Sequence, residues 1–206
     1  MIETTDTDEK DDVGPADLTE SDADSSSTDP EQEARRGYAL AQVRQYPDTA
    51  LRMKAREIDQ FDDALATLAE RMMTIMADAR GVGLAAPQVG VLQRLLVYQA
   101  SAEAEAIALV NPVAVEKSEE VEVGEEGCLS LGRATINVDI ERAVSLTVKA
   151  KTPSGEPLEV EATGLEARVI QHELDHLDGI LIIDHATPEQ RRDAMAKLRP
   201  RPGSQG

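Results

Sequence analysis

Residues 171–179 read QHELDHLDG and contain the pattern HExxH from His172 to His176. The pattern lies within a segment that we predict to be helical from Gly164 to Leu177. On a helix, residues four apart lie on one face about 5–6 Å from each other, so both imidazoles can bind one metal ion. Glu173 lies beside that face and can accept a proton from a metal-activated water. The stretch therefore predicts a helix that carries a metal site.

The two histidines supply only two of the three protein ligands that a catalytic metal site usually has. The extended zinc-protease pattern requires a histidine at position 182, where the sequence has Ile182. Asp184, His185 and Glu189 follow and remain alternatives. Cys128 is the preferred choice, because one thiolate and two imidazoles leave a fourth tetrahedral position for water. A peptidase that cleaves internal bonds and a zinc-stabilised interaction protein stay open at this point.

Cys128 is the single cysteine of the chain, so no disulfide within the chain is expected. It lies in EEGCLS, residues 125–130, where Gly127 permits close approach of the backbone. A glycine-rich segment, GVGLAAPQVG, occupies residues 81–90. Taken alone, that segment predicts no more than a tight turn.

The elements around these motifs follow periodic patterns. Apolar residues recur at helical spacing from Phe61 to Ala79, and a further helix is predicted from Pro188 to Leu198. Four β-like runs lie between the helices, at residues 94–99, 106–112, 144–150 and 157–162. A helix, several strands and then helices predict an α+β fold with a largely antiparallel sheet.

Charge is distributed unevenly along the 206 residues, whose net charge is −19. Residues 1–34 hold 13 acidic residues and one lysine, whereas the rest holds 27 acidic and 20 basic residues. We therefore predict a disordered acidic tail at residues 1–36, a catalytic domain at 37–199 and a frayed end at 200–206. The moderately acidic domain argues against DNA as a partner.

The acidic start of the chain is the opposite of a transit peptide, which is basic, and it lacks the apolar stretch of a secretory signal. No apolar run approaches the roughly 18–20 residues of a membrane span. The sequence therefore predicts a cytoplasmic protein without membrane contact.

The three motifs GVGLAAPQVG, EEGCLS and QHELDHLDG, in this order, resemble the signature motifs of peptide deformylases. The resemblance extends from about Tyr46 to Leu198. It implies a hydrolase of protein biosynthesis that removes the N-formyl group from the starting methionine of new polypeptides, with formyl-methionyl nascent chains as substrates. It also implies the family fold, in which antiparallel β-sheets surround a central HExxH-bearing helix and a C-terminal helix follows.

The same resemblance implies the ligands and the acid/base group. Cys128, His172 and His176 would bind the metal, and Glu173 would transfer protons. The family's usual ion is Fe²⁺, for which zinc, nickel or cobalt can substitute. Gln88 and the backbone N–H of Leu129 would stabilise the oxygen on which negative charge develops.

Substrate binding is predicted at Val82, Gly83 and Gly127. These residues would offer backbone edges that an extended peptide joins as an added strand. Such pairing is independent of side-chain identity, as an enzyme that acts on most nascent chains requires.

Two features depart from the family pattern. After EEGCLS the chain continues LGRATINV without the usual proline, and Arg168 stands where an apolar side chain is common. Both positions affect the walls of the substrate pocket rather than the metal or the base.

The helix predicted from Pro188 carries a group of basic residues near the end of an otherwise acidic chain: Arg191, Arg192, Lys197, Arg199 and Arg201. Late cations can simply complement the helix dipole. The alternative is docking on the ribosome near the nascent-chain exit, through phosphate contacts that weaken with salt.

Overall fold

A computed structural model of the chain describes residues 29–132 and 135–199. Its helices are α1 (Pro30–Gln42), α2 (Asp63–Asp78), α3 (Gly164–Leu177), α4 (Ile182–His185) and α5 (Pro188–Leu198). Its strands are β1 (Gly83–Ala85), β2 (Leu95–Tyr98), β3 (Ile107–Lys117), β4 (Val121–Gly127), β5 (Asn137–Ala143), β6 (Ser145–Lys151) and β7 (Pro157–Thr163). The HExxH helix, α3, begins and ends at the predicted residues.

Five strands form one sheet in the order β1-β2-β3-β6-β7, and every neighbouring pair is antiparallel. β2, β3, β6 and β7 overlap the four predicted runs, although β3 continues to Lys117. β1 has only three residues and lies at one edge of the sheet. The predicted α+β fold with an antiparallel sheet is therefore confirmed.

Helices cover both faces of this sheet, as the side chains of β2 indicate. Leu96 and Tyr98 belong to the apolar cluster that contains Ile170 of α3. Leu95 and Val97 belong to the cluster that contains the apolar side chains of α2. Because successive side chains of a strand point to opposite faces, α3 lies on one face and α2 on the other. α3 also contacts β1, β5, β6 and β7, so strands surround it as predicted.

β4 and β5 form a separate two-stranded antiparallel sheet that periodicity did not predict. Charged or small side chains occupy most of β4, and Glu126 is its only buried residue. β5 alternates more clearly, with Val138 and Ile140 packed near α4 and α5. Cys128 follows directly after β4. In the loop beyond it, residues 133 and 134 lie outside the described residues.

The predicted disorder of residues 1–36 is wrong for residues 30–36, which form the first half of α1. Asp29 caps this helix by accepting a hydrogen bond from the Glu31 N–H at 3.1 Å, and Pro30 occupies its first position. Ala39 and Leu40 are buried in the α2 cluster. The acid-rich composition concealed these helix signals, and α1 packs against α2. Residues 1–28 and the predicted frayed end, residues 200–206, lie outside the described residues.

α5 has the bounds that the sequence predicts. Its buried Ala194 packs in a cluster with Ile182 and Ile183 of α4 and Ile140 of β5. Of the helices within residues 29–132 and 135–199, none is both long and apolar enough to cross a membrane.

Candidate active site

Three side chains of types that bind metal ions meet where β4 ends beside α3. His172 and His176 lie one turn apart on α3, with ring centroids 5.0 Å from each other. One donor atom from each histidine and the Cys128 sulfur lie within 4.8 Å of one another. Cys128 Sγ is 3.3 Å from His176 Nε2. Cys128 and His176 are buried, and the His172 side chain is 11% exposed.

This donor set fits a divalent transition metal. Bonds of about 2.0–2.3 Å from one tetrahedral ion separate its ligand atoms by about 3.3–3.8 Å. The 3.3 Å between Cys128 Sγ and His176 Nε2 is at the lower end of that range. Among the alternative third ligands, His185 Nε2 instead lies 2.7 Å from Asp175 Oδ2. Asp184 accepts hydrogen bonds from Arg52. The structure therefore places Cys128, rather than these residues, beside the two histidines.

Glu126, two residues before Cys128, orients His172. Its Oε2 lies 3.0 Å from His172 Nδ1, so the other ring nitrogen faces the metal position. Arg142 donates to both oxygens of Glu126, at 2.9 and 3.0 Å, and to Asp175 at 2.7 Å. Burial alone would raise the pKa of Glu126, but hydrogen bonds from His172 and Arg142 lower it to about 2. The charged carboxylate of Glu126 thus fixes the orientation of the His172 ring through Nδ1.

Glu173 lies beside the two histidines and is only 3% exposed. Its Oε2 has no hydrogen-bond partner within the described part of the chain. Burial is the largest influence on this carboxyl and raises its pKa to about 7. A group with a pKa near neutrality can both accept and return a proton, which is what acid–base catalysis requires.

Gln88 is buried in a short 3-10 helix, Ala86–Val89. Its Oε1 accepts a hydrogen bond from the Ala85 N–H at 2.7 Å. This contact fixes the orientation of the amide, because a backbone N–H can only donate. Nε2 therefore points towards the site, 3.2 Å from Ser130 Oγ and 3.8 Å from Cys128 Sγ. The amide is held ready to donate a hydrogen bond beside the metal position.

A cavity of about 280 Å³ is lined by the site residues Gln88, Cys128, His172 and Glu173. The predicted substrate-binding residues Val82, Gly83 and Gly127 all line it, as does Leu129, one of the predicted oxyanion donors. Val82 and Gly83 lie at β1, and Gly127 ends β4. Within the described residues, β1 and β4 each have a strand on one side only. The cavity is therefore bordered by two strand edges, and Leu165 of α3 adds apolar surface to its lining.

Sequence reasoning assigned no role to Glu126, Ser130 or Asp175. Asp175 could have been noticed, because it lies inside the HExxH segment, and Ser130 ends the EEGCLS motif. No comparable signal separates the buried Glu126 from its exposed neighbour Glu125. Only the pairing of β4 with β5 determines which of these two carboxylates faces α3.

Comparisons with known proteins point to one family. A family model described as "Polypeptide deformylase" matches residues 40–192, a range that includes all three motifs. A peptide deformylase of Thermodesulfovibrio yellowstonii is 43% identical over 156 residues, which cover 74% of this chain and 93% of that protein. A solved peptide deformylase from Legionella pneumophila is 41% identical, with a TM-score of 0.71 over 76% of this chain and 91% of that chain. The corresponding structure from Thermotoga maritima is 44% identical, with a TM-score of 0.67 over 71% of this chain and 97% of that chain.

Proposed function

This chain belongs to the peptide deformylase family. On that basis we propose how its own residues hydrolyse the bond between the formyl group and the methionine nitrogen. It is a hydrolase of protein biosynthesis that removes the N-formyl group from nascent peptides. One observation carries the proposed assignment of roles. Cys128, His172 and His176 converge beside the buried Glu173, at a cavity bordered by two strand edges.

We assign Cys128, His172 and His176 as the ligands of one divalent ion. A bound ion supplies acidity, because it lowers the pKa of a water ligand towards about 7 and so provides a nucleophile at neutral pH. Fe²⁺ is our choice of native ion, with zinc, nickel or cobalt as substitutes. The mixed thiolate and imidazole donor set supports a transition metal of this group over magnesium or calcium, which prefer oxygen ligands.

Glu173 moves the protons of the reaction. It accepts one proton from the attacking water as the water oxygen bonds to the formyl carbon. It then delivers that proton to the amine nitrogen as the C–N bond breaks, so that formate and a free N-terminal methionine result. The burial of Glu173 and its pKa near 7 support this double role.

Gln88 and the Leu129 N–H stabilise the formyl oxygen while its negative charge develops. The fixed amide of Gln88 supports this role, because its Nε2 is already directed towards Cys128. A preorganised donor needs no rearrangement during the reaction, and donors of this kind are worth roughly 2.7–4 kcal/mol each in other enzymes.

The substrate lies extended between β1 and β4. Val82, Gly83 and Gly127 hold its backbone, while its methionine side chain occupies the apolar part of the cavity near Leu165. Two strand edges on one cavity support backbone recognition of many sequences. We further propose that the protein works in the cytoplasm and that α5 docks on the ribosome, since Arg191, Arg192, Lys197 and Arg199 are exposed on or just after this helix.

Formate release from formyl-Met-Ala-Ser by the nickel-loaded protein tests the proposal, with casein digestion as a parallel assay. We expect formate from the wild type and no casein fragments. Glu173→Gln, which keeps the shape of the side chain, should retain the metal but lose about 10²–10⁴-fold in turnover. Casein cleavage without formate release would establish a peptidase instead, and a fully active Glu173→Gln protein would remove the assignment of Glu173.

A further inference from the structure

Arg168, the residue that departs from the family's apolar pattern, connects α3 to both strands of the β4–β5 sheet. Its Nη1 donates to the Ile140 carbonyl of β5 at 2.9 Å and lies 3.4 Å from the Gly124 carbonyl of β4. Its Nη2 donates to the Glu122 carbonyl at 2.8 Å. Nη1 also forms an ion pair with Glu126 Oε1 at 3.0 Å. The guanidinium is therefore directed to the β4–β5 backbone.

We propose that Arg168 is a positioning residue that holds the open edge of β4 in place for the downstream part of the substrate. The inference rests on the proposed function, in which an extended peptide lies between β1 and β4. Arg168 does not act on the formyl group itself. Its effect on the reaction is exerted through the strand that it supports.

Gly124 provides the space for this connection. A Cβ added to Gly124 would lie 2.8 Å from Arg168 Cζ and 2.9 Å from Nη2, so the guanidinium would have to move. The missing side chain of Gly124 and the long side chain of Arg168 are therefore complementary. Gly124 and Arg168 form a pair that can be tested together.

The alternation of the strand indicates which edge Arg168 leaves available. One guanidinium nitrogen reaches carbonyls of both Gly124 and Ile140, so the Gly124 carbonyl is on the side of β5. Glu122, two residues before Gly124, directs its carbonyl to the same side. Because successive residues of a strand direct their backbone groups to opposite sides, Glu125 and Gly127 offer theirs to the open edge. Arg168 thus binds one set of β4 carbonyls and leaves the other set to the substrate.

The two ends of β4 are attached to α3 in different ways. At its C-terminal end, Glu126 is held by Arg142 and His172 as well as by Arg168. The carbonyls of Glu122 and Gly124, nearer its beginning, are bound by Arg168. β1 contacts α3 directly, so α3 supports both borders of the cleft. Loss of Arg168 should therefore release the far part of β4 while the metal end stays in place.

The effect of Arg168 is expected to grow with the length of the substrate. Arg168→Met, which keeps an apolar stem, should raise KM for formyl-Met-Ala-Ser-Ala roughly fivefold to tenfold. That factor corresponds to the loss of one or two hydrogen bonds between the substrate backbone and β4. Because Arg168 also lines the cavity, KM for formyl-methionine amide, which has no downstream residues, should rise by a smaller factor than KM for the longer substrate. The metal content should stay close to the wild-type value, because Arg168 is not one of the three proposed ligands. Arg168→Lys should restore part of the affinity for the longer substrate.

Gly124→Ala provides the matched test. In the wild-type background it should raise KM for the long substrate as Arg168→Met does, and in the Arg168→Met background it should add little. Equal changes in KM for the short and long substrates, or simple additivity of the two substitutions, would overturn the inference. If Arg168→Met fails to fold, Arg168→Lys and Gly124→Ala give the same comparison. A wild-type protein that releases no formate from either substrate would instead contradict the proposed function.

Discussion

The carboxylate of Glu173 lies directly against the backbone of Gly83. A Cβ built on Gly83 would be 2.9 Å from both Cγ and Cδ of Glu173, and closer still to Oε1. No side chain can occupy that space unless Glu173 or β1 moves. The glycine that the sequence suggests for substrate binding thus also leaves room for the group that we assign to proton transfer.

Gly83→Ala should therefore displace Glu173 and lower kcat/KM about 100-fold, since a misplacement of about 1 Å can have that effect. Metal content should be unchanged, because the three proposed ligands are not touched. Gly37→Ala in α1, where a Cβ meets no atom within 4 Å, is the control and should keep full activity. A fully active Gly83→Ala protein would mean that the position of Glu173 does not limit the reaction.

Metal analysis can distinguish the proposed third ligand, Cys128, from the alternative third ligand, His185. Cys128→Ser should reduce bound metal and turnover, because a hydroxyl oxygen is a much poorer ligand for these metals than a soft thiolate. His185→Asn should retain the metal, since His185 hydrogen-bonds Asp175 instead. Elemental analysis after dialysis gives the answer. Normal metal in the Cys128→Ser protein together with loss from the His185→Asn protein would reverse the assignment.

The centre of the fold could be predicted because its signals are local. α3 follows helical periodicity over its full length, and the HExxH spacing places His172 and His176 on one face. The buried strands of the main sheet have apolar runs that mark them. The assignment of Cys128 as the third ligand depended on the resemblance to the family, because spacing alone left other third ligands open.

The elements that were missed depend on contacts between distant segments. β4 is rich in glutamate, so its strand character becomes evident only when it pairs with β5. Glu126 lies in EEGCLS, whereas Arg168 lies outside the three motifs, so their ion pair cannot be inferred from the motifs. α1 was hidden by acidic composition, although Asp29 and Pro30 mark its start.

The ion pair between Asp184 and Arg52 should contribute pH-dependent stability. Burial by itself raises the pKa of Asp184, but hydrogen bonds from Arg52 and the Leu181 N–H outweigh it and lower the pKa below its usual value. The contribution is therefore fully present above the unfolded-state pKa of about 3.9 and is lost as pH falls through the lower folded-state pKa. It should not exceed about 1 kcal/mol, because both side chains are about a third exposed.

Urea unfolding of Asp184→Asn between pH 7 and pH 3 measures this contribution. The variant should be less stable than the wild type at pH 7, and the difference should shrink towards pH 3. Glu159→Gln is the control, since its ion pair with Lys149 spans 3.6 Å between largely exposed side chains. A difference for Asp184→Asn that grows as pH falls would contradict the sign of the shift.

The start of the folded domain can be tested by truncation. A protein that begins at Asp29 keeps the helix cap and the 2.9 Å ion pair between Glu33 and Arg80, so its Tm and turnover should match those of the full chain. A protein that begins at Gly37, the predicted boundary, loses the cap and half of α1. Loss of a cap costs about 0.5–2 kcal/mol, so Tm should fall by a few degrees. Equal Tm values for the two truncated proteins would show that the first half of α1 is dispensable.

Ribosome docking through α5 predicts a dependence on surface charge and on salt. Ala194 fixes one face of this helix in the cluster with α4, while Arg191 and Arg192 remain exposed. Arg191→Glu with Arg192→Glu should reduce co-sedimentation with ribosomes at low salt and flatten its salt dependence, because phosphate contacts would be lost.

Lys117→Glu with Lys149→Glu changes the net charge equally at exposed positions of β3 and β6, so it is the matched control. If docking is specific to α5, only the arginine variant loses binding, while both proteins release formate from a small formyl-peptide at the wild-type rate. Equal loss in the two variants would mean that net charge alone governs sedimentation. Equal retention would mean that Arg191 and Arg192 do not mediate docking on the ribosome.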